Sequence, residues 1–170
     1  MKKALIIITC LIINIVSAQE DTTTIYLIRH AEQADLQDKG LSEEGKEQAK
    51  KWVAYFKDKN IDTYYITKDK RIIYTATTIG SYNIKGGEPG TTETFFNFRG
   101  YDPNDLLLKN VAEDHKGENV LIVGYRNTIP KQINTLLGTD EFADISENEY
   151  GNLYIITIKD GNTEIETARL

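Results

Sequence analysis

The stretch TTIYLIRHA, residues 23–31, decides how this chain is read. Ile25, Tyr26, Leu27 and Ile28 form a short apolar run, which suits a strand buried on both faces of a parallel sheet. The run stops abruptly at Arg29 and His30. In open α/β sheets, ligands sit just beyond the carboxyl ends of the strands, so this strand delivers an arginine and a histidine where chemistry is usually done. An Arg-His pair alone is commonly no more than the polar end of a strand. Its weight comes from the rest of the chain.

The 170 residues suffice for one domain with a real core. Met1-Lys2-Lys3 is a basic start, residues 4–16 are apolar, and Ser17 and Ala18 are small residues before Gln19. This pattern predicts a cleaved secretory signal over residues 1–18, a single domain over residues 19–170, and export to the periplasm or the medium. An uncleaved anchor is the other reading, but the apolar run is short for a membrane span. The only cysteine, Cys10, falls inside that run, so the expected domain has no disulfide and no thiol chemistry. The formal charge is -6, and losing Lys2 and Lys3 makes the remainder more acidic still. No basic stripe offers itself to nucleic acid, and no membrane contact is expected after cleavage. An anion site in such a chain has to be a local cluster of arginines.

Strand and helix signals alternate from there on. Ser42 is a natural N-cap, with Glu43 and Glu44 in the first turn, and Ala49, Trp52, Val53 and Phe56 recur at helical spacing. Trp52 reads as core. Residues 63–67, TYYIT, are β-rich, and 68–70 turn the chain. Residues 71–79 predict a helix weakened by its threonines. KGGEPG at 85–90 reads as a loop, and 91–98 as a strand. A helix is expected to open at Asp102-Pro103 and to turn Leu107, Leu108, Val111 and Ala112 inward. NVLIVG at 119–124 is another fully buried strand, and Asn127 or Thr128 is expected to cap the helix that follows, with Pro130 in its first turn. Two last strands, 152–158 and 163–169, flank the hairpin signal Asp160-Gly161. The alternation implies βαβ units with helices on both faces of a sheet.

Read in order, these segments resemble the histidine phosphatase superfamily, the phosphoglycerate-mutase-like proteins, and in particular its short exported bacterial members. The carriers are the Arg-His-Ala motif within LIRHAE at 27–32, the segment LSEEGKEQA at 41–49, and Thr67 with Arg71 four residues on and Thr75-Ala76 beyond it. NVLIVG and NTIPKQINTLLG complete the set. The resemblance implies a three-layer α/β/α sandwich around a mixed, mostly parallel sheet of about six strands. It implies phosphomonoester hydrolysis through a phosphohistidine at His30, with Arg29 and Arg71 clamping the phosphoryl group and Thr67, Arg126 and Asn127 near it. The ligand would be a phosphorylated small molecule or a phosphoprotein, with no cofactor and no metal. The chemistry is sound on general grounds. A neutral imidazole attacks phosphorus when its other nitrogen is pinned, and guanidinium forks neutralise the phosphoryl oxygens.

One position departs from the family. Where a second histidine is expected after the fourth strand, the chain reads Gly124-Tyr125-Arg126-Asn127-Thr128. Tyrosine offers one neutral donor at pH 7. Losing an aimed donor typically costs about 10²–10³ in rate. Arg126 either restores the missing charge or faces solvent. His115, the other histidine, precedes the NVLIVG strand, so it is expected at the far end of the sheet, solvated. The general acid is open: Glu32 and Asp35 are candidates by proximity, Glu93 and Asp102 by lying in the variable region. Two functions therefore follow, an impaired or rebuilt phosphatase and a non-catalytic relative that binds a phosphorylated ligand or partner.

Overall fold

The computed structural model describes residues 22–34, 40–81, 97–105 and 107–170. Six strands and four helices follow one another as β1 (Thr23–Arg29), α1 (Glu43–Phe56), β2 (Thr63–Ile66), α2 (Lys70–Gly80), β3 (Phe98–Gly100), α3 (Leu107–Asp114), β4 (Asn119–Gly124), α4 (Thr128–Leu137), β5 (Asn152–Lys159) and β6 (Asn162–Arg169). The strands form one sheet in the order β3-β2-β4-β1-β5-β6. The first four run parallel, while β5 and β6 return antiparallel. This is the expected mixed, mostly parallel sheet in a three-layer sandwich.

The alternation along β1 explains the layers. Ile25 and Leu27 face one way and pack with Leu108 and Val111 of α3 and Ile129 and Ile133 of α4. Tyr26 and Ile28 face the other way, onto Trp52 and Phe56 of α1 and Ile72 and Ala76 of α2. A strand buried on both faces must be apolar throughout, which is what the run at 25–28 provides. Each fully buried large side chain in these two clusters is worth about 1.5–3 kcal/mol of transfer free energy.

Local chemistry sets the helix starts. Ser42 caps α1, its Oγ accepting from the Gly45 amide at 2.9 Å. Asp69 caps α2 by accepting from the Arg71 amide at 2.9 Å. The β5–β6 hairpin turns on Asp160 and Gly161, both at positive φ, as that dipeptide requires.

Some expectations need correcting. The helix expected at Asp102-Pro103 begins only at Leu107, because the Asp102 carboxylate accepts the Asn104 amide and closes a turn instead. Asn127 occupies the cap position without a side-chain capping bond, and Thr128 Oγ1 accepts from the Tyr125 amide at 3.1 Å. The strand expected at 91–98 is seen only from Phe98 onward, and residues 91–96, like the loop at 85–90, lie outside the described residues. His115 is not solvated. It is 1% exposed, with Nε2 3.0 Å from the Tyr65 hydroxyl and Nδ1 2.6 Å from Glu118. Tyr65 reaches across from β2 and draws the ring inward, a long-range contact that no local pattern announces. The residue does lie before β4, at the sheet end opposite Arg29.

Gly45 is where α1 meets the chain leaving β1. A Cβ there would run into the Glu32 carbonyl, which itself accepts from the Ser42 amide at 3.0 Å. Gly45→Ala is expected to destabilise the fold by about 1–3 kcal/mol in urea unfolding, since backbone cannot yield as a flexible side chain can. Gly100→Ala, where an added Cβ meets nothing within 4 Å, should stay within about 0.5 kcal/mol of wild type.

Candidate active site

The parallel pairing of β1 with β4 sets Arg29 opposite Gly124. The His30 amide extends that ladder by donating to the Gly124 carbonyl at 3.0 Å. The carboxyl ends of β1 and β4 then meet Thr67 after β2 and the start of α2 at one end of the sheet. This is the crevice where the strand order reverses.

His30 is 5% exposed. Its Nδ1 lies 2.8 Å from the Ala31 carbonyl. A carbonyl only accepts, so Nδ1 carries the proton and Nε2 keeps its lone pair. The Ala31 peptide is held in turn. Its amide donates to Thr75 Oγ1 at 3.0 Å, and that hydroxyl donates to the Arg71 carbonyl at 2.8 Å. Thr75 thus ties the histidine's support to the helix bearing the second arginine. Burial pushes the His30 imidazole down to about 4, and the charges of Arg71 and Arg29 push the same way, against the Ala31 hydrogen bond and Asp69. At neutral pH the ring is uncharged.

Arg29 is equally buried. Its Nη1 donates to the carbonyls of Ser146 at 3.0 Å and Glu149 at 2.7 Å, and its Cζ lies 4.0 Å above the Tyr150 ring. The segment between α4 and β5 therefore orients this guanidinium, while its buried Nε has no partner among the described residues. Arg71, half-buried, gives Nε and Nη2 to the two oxygens of Asp69 at 3.0 and 2.6 Å. That pairing holds the Asp69 carboxyl down to about 2. Among the described residues no hydrogen bond takes up Arg71 Nη1.

Tyr125 stands with its ring centroid 6.0 Å from His30, edge-on. Its hydroxyl is turned toward the β2–α2 connection, 3.1 Å from Thr67 Oγ1 and donating to Asp69 Oδ2 at 3.3 Å. Burial raises its phenol above the usual range. Tyr150 flanks His30 on another side at 6.4 Å.

The structure brings Arg29, His30, Arg71, Thr67 and Tyr125 together. Arg126 is exposed and turned onto Asp144 at 3.7 Å, although its charge still reaches Arg29. Asn127 lines a different cleft of about 720 Å³ with Lys131 and Asn134. The Glu32 main chain is bound to Ser42, and among the described residues no hydrogen bond or ion pair joins its carboxylate to Arg29, His30 or Arg71. Asp35 and Glu93 lie outside the described residues. Asp102 lines a groove of about 660 Å³ beside the cluster, with Thr67, Asp69, Tyr101, Asp105 and Tyr125. Among the described residues no three His, Cys, Asp or Glu side chains gather closely enough to hold a metal.

Sequence reasoning missed Asp69 and Tyr150. Asp69 carried a signal, an aspartate two residues before Arg71 at a helix start. Tyr150 carried none, since only the β5 pairing returns it to β1.

Residues 25–88 match the histidine phosphatase superfamily (branch 1). The fold is shared with the putative phosphohistidine phosphatase SixA from Agrobacterium tumefaciens, at a TM-score of 0.62 and 18% identity over 86% of this chain and 97% of that one. A phosphoserine phosphatase from Entamoeba histolytica, solved in complex with 3-phosphoglyceric acid, gives 0.62 and 17% over 87% and 97%. Phosphoglycerate mutase from Bacillus anthracis gives 0.63 and 14% over 88% and 93%. No curated protein matches the chain in sequence. The chain thus matches the superfamily's model over residues 25–88 and shares its fold with these three proteins over most of its length.

Because His30 falls from 6.5 to about 4 on folding, the unfolded chain binds its proton first as pH drops. The sign is therefore a loss of stability as pH falls from 6.5 toward 4, by up to about 3 kcal/mol. His30→Gln should remove that slope from urea unfolding measured across the window. An unchanged slope would show that His30 is not held neutral.

Proposed function

We propose that this chain is a phosphatase-type protein that takes a phosphoryl group onto His30 Nε2 from a phosphorylated small molecule or protein, and that the reaction is slowed by the tyrosine at position 125. The observation that carries the reading is the pinned imidazole, with Nδ1 committed to Ala31, Nε2 bonded to no group among the described residues and the ring neutral, between Arg29 and Arg71. In this reading Nε2 attacks phosphorus, the bond to the leaving oxygen breaks, and water later takes the phosphoryl group from His30. Arg29 and Arg71 neutralise the phosphoryl oxygens. Tyr125 supplies less than a histidine would, being uncharged, with its hydroxyl already given to Asp69.

That last contact favours a second reading, a relative that binds a phosphorylated ligand without turning it over. Turnover of an aryl phosphate separates the two. On the first reading the wild type hydrolyses it slowly, His30→Ala abolishes turnover, and Tyr125→His raises it by about 10²–10³. Residual turnover in His30→Ala would exclude a phosphohistidine route. A silent wild type with no phosphohistidine detectable by ³¹P NMR would leave binding as the function.

The basic start, apolar run and small residues at 1–18 support export as part of this proposal. Expression with residues 1–18 in a Gram-negative host should yield a periplasmic chain whose intact mass begins at Gln19. A cytoplasmic chain of full mass would overturn it.

A further inference from the structure

Asp69 brings a negative charge into a site otherwise built for anions. Its carboxylate takes the Nε and Nη2 protons of Arg71, and Tyr125 donates to its Oδ2. So both groups that the family resemblance sets on this side of the phosphoryl group, Arg71 and the residue after β4, already serve a carboxylate. Among the described residues, Arg71 keeps Nη1 and the second proton of Nη2 beyond these contacts, and Arg29 keeps Nη2 and its buried Nε.

The charges facing His30 can be counted. Arg29 comes from β1, and Asp69 and Arg71 from the start of α2. His30 and Tyr125 are neutral at pH 7, burial lowering the imidazole and raising the phenol. Arg126 is engaged with Asp144, and Glu147 acts on Arg29 from the β4–β5 connection. The inner group is thus two positive charges against one negative. A singly charged phosphoryl group balances it. A doubly charged one leaves an unmatched negative charge between Arg29 and His30, each only 5% exposed, and the Asp69–Arg71 pair, whose side chains are 22% and 29% exposed, so water screens it only in part.

We infer that Asp69 is the specificity residue that sets the charge of the accepted anion, so that a phosphoryl group bearing one negative charge, such as a diester or a singly ionised monoester, is preferred over the fully ionised monoester. This rests on reading Arg29, His30 and Arg71 as the phosphoryl site, and it does not depend on turnover.

Phenylphosphonate and benzenesulfonate test it. They share a ring and a tetrahedral head group, and at about pH 8 they carry two charges and one. Titration calorimetry compares both on the purified chain and on Asp69→Asn, which keeps a capping oxygen and removes the charge. Wild type should bind benzenesulfonate at least as tightly as phenylphosphonate. Asp69→Asn should tighten phenylphosphonate by about tenfold or more and leave benzenesulfonate within about threefold. Asp69→Ser, also a capping residue, should behave alike, so a folding defect peculiar to one variant is recognised. Asp102→Asn, in the same groove but not on Arg71, should leave the ratio unmoved.

A wild-type preference for phenylphosphonate above about tenfold overturns the inference. So does weaker binding of both anions by Asp69→Asn, which would make Asp69 only a support for Arg71. An equal effect of Asp102→Asn, or no binding of either anion by wild type and variant, does the same. Failure of the hydrolysis reading looks different: turnover is absent while the ratio still responds to Asp69.

Discussion

Everything at the site depends on one register. β1 and β4 run parallel with Arg29 beside Gly124, and the amide of His30 closes on the Gly124 carbonyl. Because side chains alternate along a strand, a slip of one residue would exchange Ile25 and Leu27 with Tyr26 and Ile28 between the two cores. It would also turn Arg29 away from the Ser146 and Glu149 carbonyls. Core packing and site geometry are therefore the same constraint. Gly124 sharpens it, since a Cβ there would lie 3.0 Å from the Ile129 side chain and 3.1 Å from the Tyr101 hydroxyl, so a larger residue would need both side chains to shift.

The fold was legible because it rests on periodicities that short segments display. The run at 25–28 and NVLIVG announced doubly buried strands, and Trp52 and Phe56 announced the inner face of α1. The pair Thr75-Ala76 was legible as a motif, but its work was not. Thr75 turns out to hold the Ala31 peptide that pins His30. What stayed hidden depends on side-chain direction across long separations. Whether His115 faced water depended on Tyr65, fifty residues away, and Tyr150 meets Arg29 only through the β5 pairing. Asp102 opened a turn instead of a helix because its own carboxylate outcompeted the helical hydrogen bond of the following amide.

Arg29 and Arg71 are held by opposite means. Backbone carbonyls and an aromatic face restrain Arg29 without cancelling its charge. A carboxylate holds Arg71 and offsets its charge. Rigid forks lose less entropy on meeting a ligand, so both restraints favour binding in that respect. They differ in electrostatics, and the site is consequently asymmetric: strongly cationic on the β1 side and nearly balanced on the α2 side.

Tyr125 and Asp69 are best understood as one unit. The phenol donates to Asp69 Oδ2, Thr67 is bonded to the same phenol, and the Asp69 amide donates back to Thr67 Oγ1 at 3.2 Å. A small closed circuit of hydrogen bonds thus fixes the β2–α2 connection against the end of β4. Removing the phenol deprives a half-buried carboxylate of a donor, and removing the carboxylate frees both the phenol and the Arg71 fork. Groups sharing partners in this way do not contribute additively. The tyrosine is therefore a structural partner of the α2 start. It satisfies the carboxylate that restrains Arg71, and the chemistry of the pocket follows from the pair rather than from either residue alone.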